Sequence, residues 1–197
     1  FGYTITNKKE IELLKNKNIE YPVIVKLNSE GSSMGMTKDS IVYNYDDLHK
    51  EVCKLLDKYD RTVLIEQYIS GEDISMIYVE GLGALGPCIV NCDSEFYDYE
   101  MKSIKDGKFS DLKDTVCKMA NKLDIKGYAK LDFRLHDDKC YLIEINSQVS
   151  FHPEGEFITC AKKDGYEFND IVCYIVSRAL TTSKKINSIG IRGDINE

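Results

Sequence analysis

The chain has 197 residues, 43% hydrophobic and 30% charged, enough apolar material to bury a core in one domain or two small lobes. A formal net charge of −7 excludes nucleic acid and anionic membrane as partners drawn in by the global field, although a local basic cluster can still hold phosphate. The seven cysteines include no Cys-x-x-Cys pair and the three histidines lie far apart, so reduced, mostly buried thiols are expected rather than a zinc site or a disulfide framework. No apolar run approaches a membrane span, and a cytoplasmic protein is expected. The chain opens on Phe1 rather than Met, which reads as a segment of a longer protein.

In chain order, Asn7 is expected to cap a helix through Ile11, Leu13 and Leu14. Val23–Leu27 reads as a strand, followed by a polar, glycine-containing loop from Asn28 to Gly35. Asp46 or Asp47 opens a helix whose Leu48, Val52, Leu55, Leu56 and Tyr59 keep helical spacing. Thr62–Tyr68 is a strand that Ser70-Gly71 ends, and strands at Ile74–Val79 and Cys88–Asn91 follow. A long polar segment, Asp93 to Lys108, precedes a helix capped by Ser110. Tyr128–Leu135 and Tyr141–Asn146 form a hairpin. An irregular stretch from Ser147 leads to a short helix near Phe157–Lys163, and Asn169 caps a last helix. Thr181–Glu197 is polar and expected to fray.

The hairpin carries the strongest chemical signal. Period-2 alternation puts Ala129, Leu131, Phe133 and Leu135 on one face and Lys130, Asp132 and Arg134 on the other. Glu144 and Asn146 share a face opposite Ile143 and Ile145. If Asp132 pairs near Glu144, two carboxylates and an amide oxygen meet, an arrangement that a cation relieves and that suits Mg²⁺ or Mn²⁺ held together with phosphates. A solvated charged sheet face is the competing reading and has about equal weight on the hairpin alone. The loop Glu30-Gly31-Ser32-Ser33-Met34-Gly35 after Lys26 can cradle phosphate through backbone N–H groups and hydroxyls, but it is not a Walker A loop. The aromatic and acidic run Phe96–Lys102 lies in a loop long enough to be a functional cover.

Together these segments resemble the ATP-grasp ligases, most nearly the D-alanine–D-alanine ligase family. Pro22–Lys26 with Glu30–Gly35 looks like that family's phosphate loop, and Leu64–Gly71 is similar to its adenine-binding hinge. Phe96–Lys102 looks like its flexible loop, and Ala129–Asp132 with Glu144–Asn146 resembles its metal-binding strands. The resemblance runs from about Tyr21 to Asn146, in the family's order, and only the central and C-terminal ATP-grasp lobes are represented.

The resemblance implies an α+β, ATP-grasp fold of two lobes with the nucleotide site between them: residues 1–69 with phosphate loop and hinge, 70–180 with lid loop and metal site, and a polar tail at 181–197. It implies ATP and two Mg²⁺ (or Mn²⁺) ions. Lys26, Glu30, Ser32, Ser33 and Lys102 would contact phosphates; Glu66, Gln67, Tyr68 and Ile69 would read adenine; Asp73 would bind ribose. Asp132, Glu144 and Asn146 would hold the metals, and Ser33, Lys102 and Lys130 would act in catalysis. The implied activity joins a carboxylate, activated as an acyl phosphate, to an amine. Implied partners are amino-acid or other small carboxylate and amine substrates and the N-terminal domain that the family places before this segment; a homodimer is left open. Alternatives are a ligase for another amino-acid pair and a non-catalytic or regulatory ATP-binding module.

Departures from the pattern bear on the substrates. Lys130 stands where the family usually has Arg, with Arg134 on the same face, and a point charge does not replace a bidentate fork. The family's Pro-Gly-containing segment after Asn146 is replaced by Ser147–Phe157, which counts against D-alanine as the acceptor. His152, Glu154 and Glu156 are expected on the acceptor side, the competing reading being an exposed turn before a helix.

Overall fold

The computed structural model describes residues 2–29, 34–90 and 109–188, with the side chains of Val90 and of residues 183–188 left aside. The chain divides into two compact units, Phe1–Ile69 and Ser70–Glu197.

The first unit is an antiparallel sheet of β1 (Gly2–Ile5), β4 (Val63–Gln67), β2 (Val23–Leu27) and β3 (Ile41–Val42), in that spatial order, with helices α1 (Lys8–Glu12) and α2 (Tyr45–Tyr59). Alternation in β2 sends Val23, Val25 and Leu27 into a core shared with Val63 and Ile65, Ile11, and the α2 stripe Leu48, Val52 and Leu55. Ile24, Lys26 and Glu66 therefore lie on the opposite face of the sheet. Asn7 caps α1 by accepting from the Lys9 N–H, as the sequence predicts. The cap of α2 is Asn44, which accepts from the Asp47 N–H at 2.9 Å. Asp46 and Asp47 sit instead in the first turn, where their charge favours the helix dipole. Strands β1 and β3 are not expected from the sequence: each is short, and each is held by pairing with a longer strand rather than by its own pattern.

The second unit is an antiparallel sheet ordered β6 (Gly83–Val90), β5 (Glu72–Val79), β7 (Tyr128–His136), β8 (Lys139–Asn146). Strand β5 is buried on both sides. Its Ile74, Met76 and Tyr78 pack with Ala129, Leu131 and Phe133 of β7 and with Val116 and Ala120 of α3 (Ser110–Lys122). Its Ile77 and Val79 pack on the other side with Phe157, Ile158, Cys160 and Ala161 of α4 (Glu156–Lys163) and Ile171 of α5 (Phe168–Ser188). Two glycines make this packing possible. Gly71 has φ 141°, and a Cβ there would lie 1.9 Å from the Leu135 carbonyl oxygen. Gly86, φ 104°, lies in the β6 bulge opposite β5, where a Cβ would meet the Cys160 sulfur at 3.1 Å.

Three helix boundaries differ from expectation. Ser110 is the first residue of α3 rather than its cap; Phe109 precedes it with no side-chain cap, and its burial fixes the helix start. Asn169 lies inside α5, where Asp170 accepts from the Glu167 N–H at 3.1 Å. That helix also continues past Thr181 to Ser188, so the expected polar tail begins helical.

Candidate active site

Along the α4 side of the second sheet, apolar side chains give way to polar ones. At one end Ile77, Val79 and Tyr128 belong to the core beneath α4 and α5. Toward the other end, β5 offers Ser75 and Asp73, β7 offers Lys130, Asp132 and Arg134, and β8 offers Glu144 and Asn146. The register pairs Ser75 with Asp132, Asp132 with Glu144, Lys130 with Asn146 and Asp73 with Arg134, which brings these side chains to one face.

The β8 strand reaches that register through a bulge. Asp132 pairs with Glu144 but Phe133 with Leu142, leaving Ile143 as the extra residue. Ile145 joins the core cluster on the α3 side, as alternation predicts, whereas Ile143 is 45% exposed. The bulge lets Glu144 and Asn146 keep the phase of Asp132 while the outer end of β8 shifts.

These side chains form a connected network. Ser75 Oγ donates to Asp132 Oδ1 at 2.6 Å, and Asn146 Nδ2 donates to Asp132 Oδ2 at 3.0 Å and to Glu144 Oε1 at 2.9 Å. Lys130 Nζ lies 3.0 Å from Asp132 Oδ2 and closes a tight ion pair with Glu156 Oε2. Burial raises the Asp132 carboxyl against the pull of the Ser75 hydrogen bond and of Lys130. Burial also works against the Lys130 ammonium, but the Glu156 hydrogen bond and the field of Asp132 and Glu156 outweigh it and hold the lysine above its ordinary value. Beside the network, Arg134 Nε lies 3.0 Å from Asp73 Oδ1, and Arg134 Nη1 donates to the Gly71 carbonyl at 3.1 Å. Burial raises the Asp73 carboxyl and Arg134 opposes the rise.

The donor set fits a hard divalent cation. Asp132 and Glu144 converge, and the Asn146 amide bridges them through its nitrogen; turning the amide over would present its oxygen to the same point. Among the described residues no group of three His, Cys, Asp or Glu side chains has metal-holding geometry. The protein thus supplies two carboxylates and an amide, the sparse set typical of Mg²⁺ held together with phosphates and water.

In the first unit, Lys26 and Glu66 share the non-core sheet face as an ion pair with 2.6 Å between Nζ and Oε2. Gln67 is exposed, while Tyr68 and Ile69 are half-buried in the segment that ends the unit. Glu30, Ser32, Ser33 and Lys102, with the whole Phe96–Lys102 run, lie outside the described residues.

Sequence reasoning missed Ser75 and the pairing of Glu156 with Lys130. Ser75 is a small polar residue between Ile74 and Met76 in β5 and is 1% exposed, an anomaly that could have marked it. Of the three residues grouped after Asn146, only Glu156 joins the network. His152 and Glu154 are exposed and form a local turn in which His152 Nδ1 accepts from the Glu154 N–H at 3.2 Å. Behind the network, the buried Cys160 thiol reaches the Ser75 carbonyl at 3.2 Å and the Cys88 sulfur at 3.1 Å, and burial pushes it well above its ordinary value.

The arrangement has known relatives. The family model described as D-ala D-ala ligase C-terminus matches residues 3–177. The chain belongs to that family. D-alanine–D-alanine ligase B of Clostridium perfringens is 28% identical over 196 residues, covering 93% of this chain and 62% of that protein. D-alanine–D-alanine ligase of Buchnera aphidicola is 33% identical over 190 residues, covering 88% and 59%. Among solved structures, the Bacillus anthracis D-alanine–D-alanine ligase complexed with ATP superposes with a TM-score of 0.71 at 22% identity, covering 94% of this chain and 61% of that one. The VanG D-Ala:D-Ser ligase of Enterococcus faecalis gives 0.71 at 18%, covering 90% and 55%. The α+β architecture is therefore the ATP-grasp fold of the D-alanine–D-alanine ligases, and the chain spans about three-fifths of the length of the relatives it matches. Within this family segment, Asp132, Glu144 and Asn146 converge on one sheet face.

Proposed function

We propose that this chain supplies the ATP- and Mg²⁺-dependent catalytic part of a ligase that joins a carboxylate to an amine through an acyl phosphate. The observation that carries the reading is the Asp132–Glu144–Asn146 cluster, a pair of facing carboxylates with an amide, in a chain of the D-alanine–D-alanine ligase family. Asp132, Glu144 and Asn146 would hold Mg²⁺, which when bound neutralises phosphate charge and polarises the transferring group. Ser75 fixes one Asp132 oxygen, leaving the other directed toward the Asn146 side. Lys130 holds positive charge against Asp132 on the same face.

Lys26 would contact ATP phosphates once freed from Glu66, and Glu66 would accept from the adenine amino group, with Gln67, Tyr68 and Ile69 along the ring edge. Asp73 would take the ribose. Glu30, Ser32, Ser33 and Lys102 are assigned to the phosphates by sequence resemblance alone. The substrates are an amino acid or other small carboxylate together with an amine.

The test is phosphate release and product analysis with the full chain, ATP and Mg²⁺ across pairs of carboxylates and amines. Release that requires both substrates and yields an amide supports the ligase. Verified nucleotide binding with no amide from any pair would instead leave an ATP-binding module.

A further inference from the structure

Glu156 is a carboxylate that a metal-and-phosphate site does not need, yet the fold places it with care. It is the first residue of α4, after Gly155. The next residue, Phe157, is 1% exposed and packs edge-on against Tyr128 at 5.7 Å and Phe151 at 5.1 Å between ring centroids. Ile158, Cys160 and Ala161 anchor the rest of the helix in the same core. A side chain held by so rigid a base has little freedom to leave.

Its two oxygens are used unequally. Oε2 takes the Lys130 ammonium and lies 3.4 Å from Ser75 Oγ, whose single proton is already given to Asp132 at 2.6 Å. Oε1 has no hydrogen-bond or ion-pair partner among the described residues. With Asp132 and Glu144 committed to a cation, the remaining charges, Lys130 and Glu156, cancel. Lys130 is thereby prevented from acting as a free cation for a substrate carboxylate. The unshared lone pairs of Oε1 are left to an N–H donor, and a charge-assisted bond to an ammonium is the strongest such contact available. The irregular segment from Ser147 to Gly155 contains no Lys or Arg.

We propose that Glu156 is a specificity-determining residue that receives the amine substrate as its ammonium on Oε1, while Oε2 holds Lys130. The proposal rests on the ligase reading, and it adds which residue recognises the amine. An amine binds here as the cation and gives a proton to solvent before its nitrogen attacks.

Three variants test it: Glu156→Gln, which keeps shape and loses charge, Glu156→Asp, which keeps charge on a shorter arm, and Glu154→Gln as a control on the exposed turn. In steady-state assays Glu156→Gln is expected to raise the KM for the amine at least tenfold, with the KM for ATP within about twofold of the parent. Glu156→Asp should recover part of the loss, and Glu154→Gln should match the parent. An unchanged amine KM with a lowered kcat, or a loss confined to ATP, would overturn the proposal and leave Glu156 as the counter-ion of Lys130 only. Binding is read separately by saturation-transfer NMR of glycinamide with the full chain and Mg²⁺-ATP. Contact seen in the parent and weakened at least tenfold in Glu156→Gln supports the inference even if no amide forms, when the ligase reading alone would fall. Equal binding by both proteins, or none by either, overturns it.

Discussion

The two units carry their polar chemistry in different ways. In the first, Lys26 and Glu66 meet as one pair on the sheet face that α1 and α2 leave uncovered, with side chains 25% and 40% exposed. In the second, Ser75, Lys130, Asp132, Glu144, Asn146 and Glu156 come from three strands and a helix, and each shares a partner with another. A lone, partly exposed pair is weakly held and free to exchange for a ligand, whereas a network centred on the half-buried Lys130, Asp132 and Glu156 resists change and fixes geometry. On the proposed function the contrast is a division of work: the first face would adapt to a nucleotide, and the second would be pre-set for metal and reacting groups. It can be tested at several strengths.

The largest effect is expected from the core that supports the second network. Phe157→Ala removes a buried ring from contact with Tyr128 and Phe151 and should cost about 3–5 kcal/mol. Hydrogen exchange followed by segment should show lost protection in β5, β7 and α4 with β2 and β4 little changed. Equal loss in both units would mean that they are not separate bodies of stability, and the comparison would fail.

Next comes the cluster proposed to hold the metal. Asp132→Asn keeps the shape but removes the charge that Ser75, Lys130 and Asn146 all address. Mn²⁺ affinity, read by electron paramagnetic resonance with ATP present, should fall about a hundredfold, or about 2.7 kcal/mol. Unchanged Mn²⁺ affinity would remove the cation from this face. In the first unit, Lys26→Ala should weaken nucleotide binding about tenfold, or about 1.4 kcal/mol, without altering Mn²⁺ affinity in the absence of nucleotide. A larger loss than at Asp132 would reverse the ranking of the two faces.

The sequence showed the second face more clearly than the first, for a physical reason. Alternation through Ala129–Leu135 leaves no choice of face for Lys130 and Asp132, because the opposite phase would bury both. Register did the rest: direct pairing makes Asp132 and Glu144 neighbours, whereas a one-residue slip would put them on opposite faces. The bulge at Ile143 could not be read, because a strand with Tyr141, Leu142 and Ile143 in a row has no clean period. The pairing of Glu156 with Lys130 could not be read for a different reason: the two are 26 residues apart, and no local pattern links a helix start to a strand across the sheet. The strands β1 and β3 stayed hidden because pairing creates them. The segments Glu30–Ser33 and Phe96–Lys102 are legible by motif alone and lie outside the described residues.

The smallest effect lies at the far end of β5, away from the network, where Glu80 ties the sheet to its surroundings. Its Oε2 accepts from the Gly127 N–H at 2.9 Å, and its Oε1 lies 3.2 Å from Arg178 Nη2 of α5. The Gly127 hydrogen bond lowers the Glu80 carboxyl below its ordinary 4.5; burial opposes this, and Arg178 adds to the lowering. A carboxylate whose folded-state value is depressed stabilises the fold above its unfolded value, and that contribution is lost as pH falls through the folded value. Because the side chain is 34% exposed, solvent screens the pair, and about 1 kcal/mol is expected at neutral pH. Glu80→Gln keeps an acceptor for Gly127 but loses the charge, so the gap between parent and variant isolates the ionised form. That gap, from urea melts across pH 3 to 7, should be full above the ordinary value and close as acid protonates Glu80. Asp73, raised by burial, pushes absolute stability the other way over the same range, which is why the difference rather than the parent curve is the measurement. A gap that stays constant with pH would show that Glu80 acts through its shape, and the charge tie between β5 and α5 would be withdrawn.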